Sequence, residues 1–420
     1  MSAPSSVLRA VWPIALLALV LRAFVAWTLP LDASDAVREC APDERGHLQV
    51  IQRLASGRLL TAAPDPRSSY EAFPLVPYLP HAAFLLLAGA GSTDRLARFP
   101  PRSEAGAGVL AARAGSVALG VLTVVLLALA AHAWTGDVAA ARWTALVAAL
   151  YPQLLFIGGY ANADAYTIAA GALAVLALAR WARAGEGPVG LELLAAALAL
   201  VVLGKPSGYF LLVTTAVWIA TAARARRIDG RALARAVAIG ITVAGPWLVW
   251  NGWRTGGDVL GLDHYAAWLA SLRHPFTPGI EIPNAPRLFV EWLSFSSFGV
   301  FRNLDLHLPT VVYVAALALL VTGIAIAATH ARPETATERR AAAWLAASAV
   351  LNLALVAYNC WFIGFSPQGR YLISSVVVLT AIACAAPRRA QPLWPVVYTA
   401  FLAVAALWSV ALIHANPCLG

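Results

Sequence analysis

Charge is scarce in this chain. Only 12% of its 420 residues are Asp, Glu, Lys or Arg, against 60% that are hydrophobic. A soluble protein of this length would show amphipathic stripes and far more charge, so that class is excluded. Apolar runs of about 18 residues or more recur throughout, the pattern of an all-α polytopic membrane protein. Lysine is nearly absent: Lys205 is the single one, so arginine carries almost all of the basic side of the +9 net charge. Those arginines lie between the apolar runs, where they set membrane orientation; a nucleic-acid partner is not expected. Cysteine is limited to Cys40, Cys360, Cys384 and Cys418. None forms a CxxC pair, which removes both a redox motif and a structural zinc site of the usual spacing. Cys40 and Cys418 share the extracytoplasmic side in the topology below, where a disulfide between them is one option. There is no low-complexity tract, soluble domain or clear internal repeat.

Hydropathy predicts eleven spans: 11–29, 109–133, 139–159, 162–181, 190–204, 208–223, 233–253, 309–329, 341–363, 371–386 and 393–413. The first, behind Arg9, has the length of a signal anchor. The stretch 75–91 is apolar but interrupted by Pro77 and Pro80, just after Pro74, and prolines remove backbone donors. Arginine placement decides its status. If 75–91 does not cross, Arg142, Arg180, Arg183, Arg224, Arg226, Arg227, Arg231, Arg332, Arg339, Arg340, Arg388 and Arg389 all fall on the side of the N-terminus. If it crosses, these clusters move outside. The stretch is therefore expected to be re-entrant or membrane-parallel, with the N-terminus cytoplasmic and the C-terminus extracytoplasmic. The chain then reads as a single domain, 1–420, with two large extracytoplasmic loops at 30–108 and 254–308. Loops of that length are usually functional. Leu48, Ile51, Leu54 and Ala55 in the first, and Tyr265, Trp268, Leu269 and Leu272 in the second, recur at helical spacing and predict interfacial helices.

This topology brings the unusual polar groups to one face. Asp43 and Glu44 are adjacent, with His47 one helical turn on. Neighbouring carboxylates raise one another's pKa, a nearby cation lowers it, and such a group can take a proton from a hydroxyl or an amine. The plain alternative is that Asp43 caps the helix that follows. Acid plus His also permits a divalent metal without requiring one, since no second ligand pair is spaced for it. Asp164, in the Asn162-Ala163-Asp164 turn, is either a second acidic group of the site or a helix cap. Lys205-Pro206 interrupts an apolar run; the lysine either neutralises a phosphate or snorkels to the interface. Gln368-Gly369-Arg370-Tyr371 opens the predicted tenth span, as a phosphate-binding turn or as an interfacial Arg–Tyr anchor. The segment Arg302–His307 meets the same face. Ionisable groups at membrane depth are functional candidates by default.

In this order, these residues resemble the GT-C superfamily of multi-pass glycosyltransferases, and within it the bacterial branch related to protein mannosyltransferases and lipid A aminoarabinose transferases. The matching features are Pro42-Asp43-Glu44 with His47, Phe73-Pro74 with Pro77-Tyr78, Arg113, Tyr151-Pro152, Asn162-Ala163-Asp164, Gly204-Lys205-Pro206, Phe298-Gly299 before Leu308-Pro309, and Gln368-Gly369-Arg370-Tyr371. The pattern departs at Val300, where a Trp often follows Phe-Gly, and at Phe73-Pro74, where a Pro-Pro pair is reduced. The resemblance implies a polyprenyl-phosphate-sugar donor, inverting transfer to an extracytoplasmic glycan, lipid or protein acceptor, and a bacterial plasma membrane location; the Ala- and Arg-rich usage is that of a GC-rich bacterial genome. It further implies Asp43 or Glu44 as the catalytic acid of the first loop and Asp164 as the second acidic position. Lys205 and Arg370, by their charge, are the expected contacts to the donor phosphate, with His47, Gln368 and Tyr371 beside them. A transporter or flippase would instead place its polar groups near the bilayer midplane and show related halves. A non-catalytic envelope-assembly protein would tolerate loss of Asp43, Glu44 or Lys205.

Overall fold

The computed structural model describes residues 4–29, 41, 43–58, 70–89, 106–225, 227–271, 284–301, 306–330, 336–363, 365–372 and 393–415. The described residues are mostly helical. Its elements are α1 (Pro4–Thr28), α2 (Glu44–Ala55), a 3-10 turn at Val76–Tyr78, α3 (Leu79–Leu87), α4 (Gly106–Thr135), α5 (Val138–Leu150), α6 (Pro152–Ile157), α7 (Asp164–Arg183), α8 (Leu191–Val202), a 3-10 turn at Pro206–Gly208, α9 (Phe210–Arg224), α10 (Gly230–Arg254), α11 (Leu262–Ser271), α12 (Ala285–Phe298), α13 (Thr310–His330), α14 (Ala336–Phe362), a 3-10 turn at Gly369–Tyr371, and α15 (Leu393–Ala415). The strands among the described residues are β1 (Val300–Phe301) and β2 (Leu306–His307), an antiparallel ribbon pairing Val300 with His307.

Among the described residues, seven helices are long and apolar enough to cross a membrane: α1, α4, α7, the stretch containing α9, α10, α14 and α15. Helices α5, α8 and α13 are shorter apolar segments. Each predicted span coincides with helix except 371–386, which lies outside the described residues beyond Leu372. Cys40, Cys384 and Cys418 also lie outside them, while Cys360 is a buried free thiol.

The predicted span 139–159 is two helices, with a physical cause. Pro152 has no N–H, so the carbonyl of Ala148 loses its helical donor. The Arg22 side chain, from α1, supplies the replacement: Nη2 donates to Ala148 O at 3.0 Å, and Nη1 to Ala149 O at 3.4 Å and Ala18 O at 3.3 Å. Arg22 is 1% exposed. Gly120 and Gly158 make room for it, since a Cβ at either would lie 2.6 or 2.8 Å from the Arg22 side chain.

Helix α4 packs on α1, α3, α5 and α7, and α8 lies between α7 and α10. Helix α7 has 20 residues and so spans about 30 Å, the thickness of a bilayer core. Its two ends therefore mark two faces. At the end carrying Arg183, Glu186 pairs with Arg227 and, at 2.7 Å, with Arg340, and accepts a hydrogen bond from Trp218 at 3.1 Å. Three of the predicted arginine-bearing loops thus meet at one end. The opposite end, at Asp164, carries α2 and the groups described below.

Helix α3 has nine residues, about 13 Å, too short to cross. The helical spacing of Leu48, Ile51 and Leu54 forms α2, but those side chains are buried against Leu75, Tyr78, Ala82 and Leu85. The apolar face expected to lie on the membrane interface is spent inside the protein. Tyr265 and Trp268 fall on α11, their rings stacked at 5.8 Å; the Leu269 side chain and Leu272 lie outside the description. The two large loops touch. Asn251 donates to Ala72 O at 2.8 Å and to Val259 O at 2.9 Å, Arg254 donates to Glu71 O, and Tyr265 lies 5.6 Å from the Phe73 ring.

Candidate active site

At the Asp164 end, side chains from segments far apart in sequence converge. Asp43 precedes α2 with a left-handed φ of 64° and makes no side-chain cap hydrogen bond, so capping is not its role. Its Oδ2 meets Arg370 Nη2 at 3.0 Å, with 39% of the Asp43 side chain exposed against 6% of Arg370. Tyr70 is also hydrogen-bonded to Asp43. Burial pushes the Asp43 carboxyl up, but Arg370, His47 and Lys205 outweigh it and hold the group down at about 2. Left-handed backbone at a non-glycine residue stores strain of the kind found at functional sites.

Glu44, one residue on, is placed differently. Its side chain is 3% exposed and is held at both oxygens by Arg113, Nε to Oε1 at 2.8 Å and Nη2 to Oε2 at 2.6 Å. The Ala161 N–H donates to the same Oε1 at 2.8 Å. Arg113 Nη1 in turn donates to Ala26 O at 2.8 Å and Leu29 O at 2.5 Å. One carboxylate therefore joins α1, α2, α4 and the turn before α7. The adjacent acids divide: Glu44 is enclosed and saturated, Asp43 is partly open.

His47 is fully buried, its Nδ1 2.8 Å from the Tyr78 hydroxyl and its ring 4.3 Å from that of Tyr70. Its Nε2 has no hydrogen-bond partner among the described residues. Burial, then Lys205, pushes the imidazole down to about 3, so it is neutral at physiological pH. Gly46 lets Tyr70 approach: a Cβ there would lie 2.7 Å from that ring.

Asp164 does not cap α7 with its side chain. Asn162 Oδ1 accepts the Ala165 N–H at 2.9 Å and its amide donates to Ile157 O and Tyr160 O, holding the turn. Asp164 is left to face cations, with Lys205 Nζ at 2.9 Å from Oδ1 and Arg370 Nη1 at 3.7 Å from Oδ2. Lys205 is 15% exposed at its side chain and is turned to Asp164 rather than out to the interface. Its backbone N–H donates to Thr167 Oγ1 at 3.0 Å.

Arg370 bridges both acids from a 3-10 turn whose backbone is pinned to α12. The Gly369 N–H donates to Ser296 Oγ at 2.6 Å, and a Cβ at position 369 would fall 2.0 Å from Ser297 N. The guanidinium lies 5.6 Å from the Tyr371 ring, and Tyr371 O accepts from Asn352. Gln368 Nε2 donates to Ser366 at 2.7 Å, leaving its Oε1 buried without a partner among the described residues. His307 stands apart, edge-on to Phe295, and residues 302–305 lie outside the description. Tyr70, Ser296 and Ser297 are contributors that sequence reasoning passed over; the Ser-Ser pair ending α12 just before Phe298-Gly299 was the available signal.

Among the described residues no three His, Cys, Asp or Glu side chains gather to hold a metal ion. Asp43 and Asp164 face cations, and His47 is bonded to Tyr78. The assembled groups are two carboxylates, one of them partly open, and two cations, a set that can hold an anion and take a proton.

Similarity to known proteins bears on the fold. The sequence profile of the dolichyl-phosphate-mannose-protein mannosyltransferase family matches residues 96–269, less than half of the chain. No curated protein matches the sequence. Among solved structures, ArnT from Cupriavidus metallidurans in the apo state is similar over 89% of this chain and 59% of its own, at 16% identity and a TM-score of 0.53. The same protein bound to undecaprenyl phosphate matches 92% of this chain and 61% of its own, at 18% identity and a TM-score of 0.53. The oligosaccharyltransferase of Archaeoglobus fulgidus matches 96% of this chain and 52% of its own, at 13% identity and a TM-score of 0.51. The chain spans under two thirds of the length of each of these proteins, and at such identities the likeness is one of fold. The protein shares the multi-helical fold of ArnT and of the archaeal oligosaccharyltransferase.

Proposed function

We propose that this protein is a GT-C glycosyltransferase of the bacterial plasma membrane. It moves a sugar from a polyprenyl-phosphate-linked donor to an extracytoplasmic glycan, lipid or protein acceptor, with inversion. The observation that carries this reading is the meeting of Asp43, Asp164, Lys205 and Arg370 at one end of the helix bundle. That end faces outward, with the N-terminus cytoplasmic and the C-terminus extracytoplasmic, because the opposite end holds Arg183, Arg227 and Arg340. Asp43 is the general base, since it is the acid with an open side; Glu44 anchors the fold. Lys205 and Arg370 take the phosphate, whose growing negative charge on departure is the larger electrostatic demand. Asp164 orients the two cations, and His47 and Tyr70 fix the shape around Asp43. The match to a structure solved with undecaprenyl phosphate supports a lipid-phosphate donor. The gathering of polar groups at one end, rather than at mid-helix, disfavours a transporter.

The test is a transfer assay with purified protein against a panel of polyprenyl-phosphate sugars. Wild type is expected to release polyprenyl phosphate and glycosylate an acceptor extracted from bacterial envelope. Asp43→Asn is expected to lose about 10²–10⁴-fold in turnover, the usual worth of a general base. Normal turnover in that variant would remove the carboxylate from the mechanism.

A further inference from the structure

The cations expected to hold phosphate are already paired. Lys205 is on Asp164, and Arg370 lies between Asp43 and Asp164. An incoming phosphate must therefore compete with a carboxylate of the protein. We propose that Arg370 is a two-position clamp, bound to Asp43 in the empty site and to the donor phosphate in the loaded one, so that Asp43 becomes an available base only after the donor has bound. The inference rests on the glycosyl-transfer reading above and adds an order of events to it.

Three features single out Arg370 and Asp43 as the pair that opens. Arg370 is loosely used apart from one bond: Nη2 meets Asp43 at 3.0 Å, whereas Nη1 stands 3.7 Å from Asp164, the Tyr160 hydroxyl lies beside the guanidinium, and Nε has no close partner among the described residues. A guanidinium presents its donors as a fork that suits two phosphate oxygens better than one carboxylate oxygen. Asp43 has somewhere to go, with 39% of its side chain exposed, whereas Asp164 at 4% and Glu44 at 3% do not. The pivot is fixed, because Gly369 is seated on Ser296 and Ser297, so the exchange needs only side-chain movement.

Asp43 is surrounded by Arg370, Lys205, His47, Asp164, Tyr70, Tyr78, Tyr160 and Tyr265. With Arg370 against it the carboxyl is held at about 2, where it is a poor proton acceptor. Moving Arg370 onto phosphate leaves Asp43 among a neutral His47, four tyrosines, Lys205 and the opposing Asp164, and its basicity rises. In the step itself, Asp43 takes the proton of the acceptor O–H or N–H. The acceptor's lone pair forms the new bond to the anomeric carbon. The bond from that carbon to the phosphate oxygen breaks, and its electron pair leaves on polyprenyl phosphate, held by Arg370 and Lys205. Loss of the proton to water and departure of the lipid let Asp43 recapture Arg370.

The sign of one binding change separates this clamp from a static site. Undecaprenyl phosphate is titrated into the full-length protein in nanodiscs, as wild type, Asp43→Asn and Arg370→Gln. The clamp expects Asp43→Asn to bind about 10-fold more tightly than wild type, within the usual range of coupled equilibria, and Arg370→Gln to bind more weakly. A side-chain carboxylate infrared band that shifts on lipid addition to wild type, and is missing from Asp43→Asn, reports the release without relying on the variant's affinity. Equal or weaker binding by Asp43→Asn, or an unmoved band in wild type, overturns the clamp while leaving the glycosyl-transfer reading intact. Failure of wild type to bind undecaprenyl phosphate overturns both.

Discussion

Two adjacent acids with opposite environments carry separable properties. Glu44 accepts three hydrogen bonds inside the protein, so Glu44→Gln breaks a buried ion pair and strands Arg113. Such breaks cost about 3–5 kcal/mol. The expected outcome is a lowered melting temperature and poor yield, by thermal unfolding in detergent, whereas Asp43→Asn, at a partly exposed ion pair, lowers the melting temperature less. His47 gives a pH dependence of defined sign. Its folded value of about 3 lies below the usual value of about 6.5. Between those values the unfolded chain binds the proton and the folded one does not, so stability present above pH ~6.5 is lost as pH falls toward 3. The Asp43–Arg370 pair adds its own loss only below about pH 4, the ordinary carboxylate range. Melting temperatures measured from pH 7 to 4 should decline, and His47→Gln should decline less. Which of the two acids was open was not legible in the sequence, because the partners that decide it, Arg113 and Arg370, are 69 and 327 residues away.

At the scale of elements, hydropathy located nearly every long helix, since an apolar run of membrane length has few other fates. It missed the break between α5 and α6. Tyr151-Pro152 was visible as a motif, but a proline within an apolar run does not say whether the helix kinks or stops. Here it stops, and Arg22 from α1 takes up the freed carbonyls. Replacing Arg22 by Met should strand Ala148 O and Ala149 O at about 1–3 kcal/mol for each unsatisfied group. Lower thermal stability with an unchanged Michaelis constant for the lipid donor is the expected result; an unaffected melting temperature would mean that those carbonyls find other donors. Helix α2 shows the reverse limit. Its periodicity was plain, yet periodicity alone does not name what covers the apolar face, and α3 covers it.

For the whole molecule, α7 sets the frame, with Asp164 at one end and the Glu186–Arg340 pair beyond the other. A reporter inserted near 92–104 and another near 226 should therefore signal opposite sides of the membrane, the first extracytoplasmic. A shared side would overturn the number of crossings between them, and a cytoplasmic signal from the first would reverse the orientation argued from arginine placement. The convergence of loop and turn residues on one face was legible as a consequence of topology, whereas the pairing of Asp164 with Lys205 required coordinates. The division of labour between Glu44 and Asp43 has an evolutionary side. On the proposed mechanism, anchoring and reacting occupy neighbouring codons, so the scaffold does not depend on the chemistry proposed for Asp43. If that mechanism holds, a single replacement at position 43 would leave a folded protein that binds the lipid phosphate without transferring a sugar, so a carrier or sensor of such lipids is one mutational step from the enzyme.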